Sequence, residues 1–233
     1  IIGKVANGIA DDMLSTTIMA TKSPVIFAPA MNCNMYENPI VQQNIDKLKS
    51  LGYIFVEPES GRLACGDVGK GRLASTDTIV DAVLHTIGFE KDLKDIKVLV
   101  TAGPTREPLD PVRFISNYSS GKMGYAIARA ARYRGADVTL ITGPTSLQPI
   151  EGIRTIRVNT ALEMYEAVMD NFNNSSIIIK AAAVGDYRPL HFSADKIKKE
   201  NDKFDVEFIK NPDILAELGK KVQNQVLIGF SME

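Results

Sequence analysis

The chain has 233 residues, 45% hydrophobic and 24% charged, enough for one large or two smaller domains with real cores. Its formal net charge of −1 excludes a global field that would attract nucleic acid or an acidic membrane, so phosphate binding must come from local groups. Cys33 and Cys65 form no CxxC pair or disulfide framework, and His85 and His191 are too few for a histidine-rich metal site. No apolar run reaches the roughly 18 residues of a membrane span, the start carries no signal-peptide pattern, and a cytoplasmic protein without membrane or nucleic-acid partners fits.

The opening IIGKVANGIADDM reads as the interior of a helix and the closing VLIGFSME stops just after a strand, the pattern of a chain truncated at both ends. Between them, residues 24–30 form an expected buried strand with a loop at its carboxyl end. Residues 37–51 read as a helix opened by Glu-Asn-Pro, with Ile40, Ile45, Leu48 and Leu51 on its apolar face. A short strand at 53–56, a glycine-rich loop at 57–75 and a helix at 77–87 complete a first unit. A charged link at 88–97 marks a boundary near residue 90, giving domains 1–90 and 91–233.

The organisation then restarts. Strands are expected at 96–103, 136–143, 152–158, 176–184 and 225–230, and helices at 121–134, 160–172 and 211–222. Thr160 with Glu163 forms a capping-box pattern, and Ser119 or Ser120 is the expected cap of the helix from 121. The fold class is therefore α/β, two three-layer units with parallel sheets. The second unit is Rossmann-like in order but not in fingerprint. It has no GxGxxG turn, and its second strand ends in Thr142-Gly143-Pro144 without a ribose-holding acid, which argues against NAD. A nucleotide can still bind at the carboxyl ends of its strands.

Four stretches carry chemistry. In PAMNCNMY (29–36), Asn32 emerges after a buried strand, where an amide suits a carboxylate or ring edge, or simply caps the loop; Cys33 reads as packing. In GRLACGDVGKGRLA (61–74), glycines supply mobility and Arg62 and Arg72 supply forked donors. That is a flap over an anionic substrate, or a solvated surface loop; Cys65 is an accessible acid or thiol contact.

In TAGPTREPLDPVRFISN (101–117), Arg106 and Arg113 can grip phosphates with Asp110 orienting one of them, and Asn117 can stabilise a developing acyl-phosphate. The alternative is a long loop held by its own salt bridges. The following SSGKMG is no P-loop, because Met123 stands where Ser or Thr is required. Lys122 beside exposed helix N–H groups nonetheless suits a phosphate, with Gly103, Ser120 and Gly121 around it. In KAAAVGDYRPLHFSADKIKK (180–199), Ala181, Ala182 and Ala183 let a planar group approach, Asp186 suits Mg2+ or a ribose, and Lys196, Lys198 and Lys199 suit a triphosphate or are solvated surface.

The succession of PAMNCNMY, GRLACGDVGKGRLA, DPVRFISNYSSGKMG and AAAVGDYRP with DKIKK closely resembles the bacterial bifunctional coenzyme A biosynthesis family. In that family a phosphopantothenoylcysteine decarboxylase is fused to a phosphopantothenate–cysteine ligase. The resemblance spans essentially the whole chain.

It implies that residues 1 to about 90 are the carboxyl part of a flavodoxin-like, FMN-dependent decarboxylase. There Asn32 binds the substrate carboxylate and Cys65, on the substrate clamp, is the acid that protonates the enethiolate; Tyr36 stands where the family motif has Trp. The family's catalytic histidine and much of its FMN site would precede residue 1, so this stretch alone is not expected to decarboxylate. Residues from about 93 are then a Rossmann-like ligase that activates 4′-phosphopantothenate with CTP and Mg2+ as an acyl-cytidylate, which cysteine converts to the amide. Asn117 matches the residue stabilising the acyl-cytidylate and Lys196 the lysine of the cysteine step. Ala182, Ala183 and Asp186 match nucleotide contacts, with Phe230 near the cytosine; further ligase residues would follow Glu233. Ligase dimers and decarboxylase trimers are the implied homo-oligomer. An ATP- or NAD-dependent α/β enzyme of another class lacks its motifs here. A non-catalytic flavoprotein-like regulatory subunit would not need Asn117, Asp186 and Lys196 together.

Overall fold

The computed structural model describes residues 1–62, 68–198 and 205–230, and the chain divides into two compact units, Ile1–Phe89 and Glu90–Glu233. In the first, α1 (Ile2–Ala6) and α2 (Met13–Ala20) precede β1 (Ile26–Phe27), α3 (Cys33–Glu37), α4 (Pro39–Ser50) and β2 (Ile54–Phe55). Then come β3 (Glu59–Arg62), β4 (Val68–Arg72) and α5 (Thr76–Ile87).

Strands β1 and β2 pair in parallel, and Phe27 stacks on Phe55 at 5.0 Å between ring centroids. Val5, Ala6 and Leu48 are buried against them. Among the described residues this unit shows a two-stranded parallel sheet rather than a full three-layer core.

Three expectations change here. The opening residues are two helices, because Asp12 caps α2: its carboxylate accepts the Ser15 N–H while the Ser15 hydroxyl accepts the Asp12 N–H. On α4, Ile45 and Leu48 are buried, but Ile40 and Leu51 are exposed. Ile40 lies five residues before Ile45, well off its face, and Leu51 is the C-cap. The stretch from 57 to 75 is not all loop: β3 and β4 form an antiparallel ribbon, with Glu59 opposite Arg72 and Gly61 opposite Gly69.

The second unit contains β5 (Lys97–Ala102), β6 (Arg106–Pro108), β7 (Phe114–Ser116), α6 (Lys122–Tyr133), β8 (Asp137–Thr142) and β9 (Arg154–Arg157). It continues with α7 (Ala161–Asn171), β10 (Ile177–Lys180), β11 (Tyr187–Pro189), β12 (Phe208–Lys210), α8 (Ile214–Lys221) and β13 (Val226–Gly229). Its five-stranded sheet is parallel throughout, in the order β13-β10-β5-β8-β9.

The central strand β5 is buried from Val98 to Ala102, which explains its unbroken apolar run. Val98, Val100 and Ala102 pack with Tyr125, Ala128 and Ala131 of α6, while Leu99 faces Met164 and Val168 of α7 and Ile214 and Leu218 of α8. Helices on both faces make three layers. Alanine-rich α6 sits tight on β5: a Cβ at Gly124 would stand 2.5 Å from the Ala102 Cβ.

The chain folds from the central strand outward to β9, then returns to β10 on the other side of β5. The carboxyl ends of β5 and β10 are therefore the switch point where such sheets open a crevice.

The hydroxyls expected to cap α6 stand just before it and take the N–H groups at its start, but neither is the N-cap residue. Its N-cap is Gly121 in the left-handed region, with φ 77°, and no side-chain cap bond. The Ser119 hydroxyl instead accepts the Gly121 N–H, shaping the turn one step earlier. Thr160 does cap α7, accepting the Glu163 N–H, and Glu163 returns its carboxylate to the N–H of Asn159. Two antiparallel strand pairs lie in stretches where the sequence marks no strand: β6 pairs with β7 and β11 with β12.

The fold yields one stability prediction. Gly143→Ala would set a Cβ 1.7 Å from the Pro104 carbonyl oxygen, a backbone atom with nowhere to go. The variant should be destabilised by about 1–3 kcal/mol or more in thermal unfolding; an unchanged midpoint would refute this packing.

Candidate functional site

In the first unit the ribbon is docked on the turn that carries Asn32. The Met31 N–H donates to the Gly71 carbonyl at 2.9 Å. Gly71 has φ 157°, and a Cβ there would strike the Met31 oxygen at 2.2 Å; one at Gly69 would stand 2.8 Å from the Cys33 Cβ. Glycines at 69 and 71 therefore act as docking positions.

Asn32 caps α3, its side-chain oxygen accepting the Asn34 N–H at 2.9 Å, so the loop-cap role is realised for that oxygen. Arg62 and Arg72 are exposed on the ribbon. Cys65 lies outside the described residues.

A four-residue polar cluster ties the base of the ribbon to the helices. Glu57 Oε2 accepts from the buried Tyr36 hydroxyl and from Lys70 Nζ, each at 2.8 Å, while Oε1 accepts from Lys49 Nζ at 2.9 Å. The Lys70 ammonium also stands 5.4 Å from the centre of the Tyr36 ring. Lys70 first, then Lys49, pulls the Glu57 carboxyl down to about 2, whereas burial and the Glu57 carboxylate push the Tyr36 phenol up.

In the second unit the candidate site forms at the carboxyl ends of β5 and β10. Gly103 and Gly121 both have positive φ, 75° and 77°, and a Cβ on Gly121 would stand 3.2 Å from the Gly103 Cα. Pro104 bridges Ala183, and the Ala183 N–H donates to the Gly103 oxygen at 2.9 Å. Asn117 Nδ2 donates to the Ala183 carbonyl at 3.0 Å, and the Ala182 N–H donates to the buried Thr101 hydroxyl at 3.2 Å. Gly103, Asn117, Gly121, Ala182 and Ala183 are thus brought together. Ser120 and Lys122 adjoin them at the start of α6, where the Lys122 N–H meets the Ser120 hydroxyl at 3.5 Å.

Beside this lies a cleft of about 310 Å³ lined by Lys180, Asp186, Tyr187, Lys210, Asn211 and Asp213, among others. Asp186 is exposed there. Phe230 directly follows the neighbouring strand β13, its N–H donating to the Lys180 oxygen at 3.1 Å and its side chain exposed. Among the described residues no group of three or more Asp, Glu, His or Cys side chains could hold a metal ion. A divalent ion here would rest on Asp186 and on ligand phosphates, an arrangement that magnesium accepts.

Two expected residues have different surroundings. Arg113 is partly engaged within the protein: its Nε and Nη2 fork onto Asp110 at 3.0 and 2.5 Å, and Nη2 also reaches the Ile197 carbonyl. Arg106 lies over the Phe114 ring at 4.6 Å. The 101–117 stretch is thus partly held by its own salt bridge. Lys196 and Lys198 are exposed on either side of Ile197; Lys199 lies outside the described residues.

Several organising residues carried no local sequence signal. Buried Glu107 accepts the Ala161 N–H at 3.0 Å and buried Thr105 the Gly185 N–H at 2.9 Å. Asn211, also buried, donates to the Gly185 oxygen at 2.7 Å and accepts from Arg188. Only Asn211 sat in a legible pattern, the Asn-Pro-Asp run before α8, where Asp213 caps the helix.

Residues 93–233 match the family described as DNA/pantothenate metabolism flavoprotein C-terminal domain, and residues 1–88 match the family described as flavoprotein. A Bacillus subtilis protein named coenzyme A biosynthesis bifunctional protein CoaBC is 49% identical over 236 residues, covering 100% of this chain and 58% of that protein. A protein of the same name from Borreliella burgdorferi is 46% identical, with 100% and 60% covered. A solved structure, the C-terminal domain of coenzyme A biosynthesis bifunctional protein CoaBC, superposes with TM-score 0.54 at 45% identity, covering 60% of this chain and 66% of that one. The chain spans about 60% of the length of the curated relatives it matches.

The Glu57 cluster has a pH signature. Its carboxyl is depressed from 4.5 to about 2, so its contribution to stability is present above about 4.5 and fades as pH falls towards 2. The gap in unfolding midpoint between wild type and Glu57→Gln should therefore be widest above about pH 5 and close in acid. A gap independent of pH would refute the cluster; because Glu57 is half-exposed, the gap will be modest.

Proposed function

The chain belongs to the DNA/pantothenate metabolism flavoprotein C-terminal domain family over residues 93–233, and on that premise we propose that its second unit is a Rossmann-like ligase domain of coenzyme A biosynthesis. Its reaction activates the 4′-phosphopantothenate carboxylate with CTP and joins it to cysteine. The first unit is proposed as the carboxyl part of a flavodoxin-like phosphopantothenoylcysteine decarboxylase, so that product and substrate pass between two activities of one protein. The setting is cytoplasmic, where the cysteine thiol stays reduced; no helix among the described residues is long and apolar enough to cross a membrane.

The observation that carries the ligase reading is the meeting of Asn117 with Ala183 at the switch point, beside two left-handed glycines and the Asp186 cleft. An amide has two N–H donors. Ala183 takes one, and the other can face an acyl-phosphate oxygen as charge develops. The first turn of α6 offers backbone N–H groups to phosphates, with Lys122 adding charge. Asp186 would hold Mg2+ against the triphosphate, which the ion neutralises when bound. Lys196 serves the cysteine step, and Phe230 bounds the base end.

In the first unit Asn32, Arg62 and Arg72 suit the carboxylate and phosphate of a substrate. FMN is proposed as cofactor from the flavoprotein match. The donors that this stretch offers, two guanidinium groups and an amide, suit a carboxylate and a phosphate. Decarboxylase trimers and ligase dimers are proposed as the assembly. For the dimer, Phe114 and Ile115 of β7 and Phe208 and Ile209 of β12 present exposed apolar surface.

The test is pyrophosphate release by the full-length protein with Mg2+ and 4′-phosphopantothenate, comparing CTP with ATP. Release should prefer CTP, with CMP and amide appearing only when cysteine is added; no release with either nucleotide would overturn the ligase reading. Asn117→Asp removes the donor and sets a carboxylate against developing negative charge, so acyl-cytidylate turnover should fall about 10²-fold or more. Lys196→Gln should keep pyrophosphate release without cysteine while amide formation falls. Equal loss of both would assign Lys196 to the triphosphate.

A further inference from the structure

We infer that buried Asp110, with Arg113, is the positioning clasp for Lys196, holding the main chain of the neighbouring residue Ile197 by both its N–H and its C=O. The inference rests on the ligase reading for what Lys196 does, but its geometry stands apart from that reading.

The Asp110 side chain has no solvent exposure, and its carboxylate is fully engaged. Oδ1 accepts the N–H groups of Val112 at 2.9 Å and Arg113 at 2.7 Å, closing the local turn. Oδ2 accepts Nε and Nη2 of Arg113 and, from 87 residues away, the Ile197 N–H at 3.1 Å. Arg113 Nη2 donates in turn to the Ile197 carbonyl at 3.1 Å. One residue of an otherwise exposed strap is therefore held at both of its polar backbone groups.

A second tether lies upstream, where the Ser193 N–H donates to the Leu109 oxygen at 3.0 Å, and the Ser193 hydroxyl reaches the Asp195 carbonyl at 2.7 Å. The strap from 193 to 197 is thus moored along the loop 109–113. Arg113 beside it holds the Asp110 carboxyl well below the usual range, so the clasp persists at neutral pH.

The local turn needs only Oδ1. The second oxygen and the guanidinium are spent on Ile197, which makes the pair more than a loop staple. Lysine has a long flexible stem, so its ammonium is placed only as well as its main chain is held. Arg113 acts here as a positioning residue.

The test uses the full-length protein and Asp110→Asn, which keeps an oxygen for the turn but offers Arg113 and Ile197 an NH2 that cannot accept. In the ligand-free protein, hydrogen exchange at the Ile197 N–H should speed by about 10-fold or more while β5 amides are unchanged. With CTP, amide formation should fall by about 10- to 100-fold with pyrophosphate release nearly preserved. Adding Lys196→Gln should cost little more, since both changes act on one step. Arg113→Gln, which leaves the Asp110 turn in place, should show the same split more weakly and serves if Asp110→Asn folds poorly. Unchanged exchange at Ile197, or equal loss of both half-reactions, overturns the clasp. Absence of CTP-dependent release from wild type, with Ile197 still deprotected by Asp110→Asn, overturns the ligase reading instead and upholds the clasp geometry.

Discussion

The second unit depends on how closely backbone can approach backbone at the carboxyl end of β5. Gly103, Gly121, Gly124 and Gly143 all stand where a Cβ would meet another chain segment, and at Gly143 the obstacle is the Pro104 carbonyl itself. With no Cβ at these positions, backbone and small side chains close in together, and the loops after β5, β8 and β10 come within hydrogen-bonding distance of one another. The Pro104–Ala183 bridge and the Asn117–Ala183 bond both follow from that approach. A phosphate-sized ligand needs such a surface, rich in N–H groups and free of side chains.

Carboxylates in the two units play distinct physical parts according to their exposure. Asp110 and Glu107 are buried and hold main-chain N–H groups, which makes them structural organisers of neighbouring loops. Glu57 in the first unit is half-exposed and shared between two ammonium groups and a phenol, fastening a ribbon to helices. Asp186 alone of these faces an open cleft without being buried, the situation expected of a group that takes and releases a ligand. Residue type therefore did not distinguish the roles; the surrounding donors did.

The two candidate sites also share a way of being built. In each, an exposed polar stretch is moored by a few long-range main-chain bonds: Met31 to Gly71 at the ribbon, Ser193 and Ile197 to the 109–113 loop at the strap. Such moorings leave side chains such as Arg72 and Lys196 in solvent while setting their origins. That arrangement suits residues that must meet a charged substrate and then let its product go.

The sequence by itself determined the alternation of strands and helices, the buried central strand and the cap at Thr160, because each of these is a local or periodic demand of backbone sterics and burial. It also held, as a resemblance, the coenzyme A enzyme reading. Only the tertiary structure decided that 59–72 is a ribbon, that β6 pairs with β7 and β11 with β12, that Gly121 and not a serine begins α6, and that Arg113 serves Asp110 and Ile197. The short strands run only three to five residues and bury little, so no hydrophobic period marks them. The Asp110–Ile197 bond joins residues 87 apart, and no local pattern records which distant N–H will complete a buried carboxylate. That choice is made when the chain packs and the carboxylate, cut off from water, must take the donors within its reach.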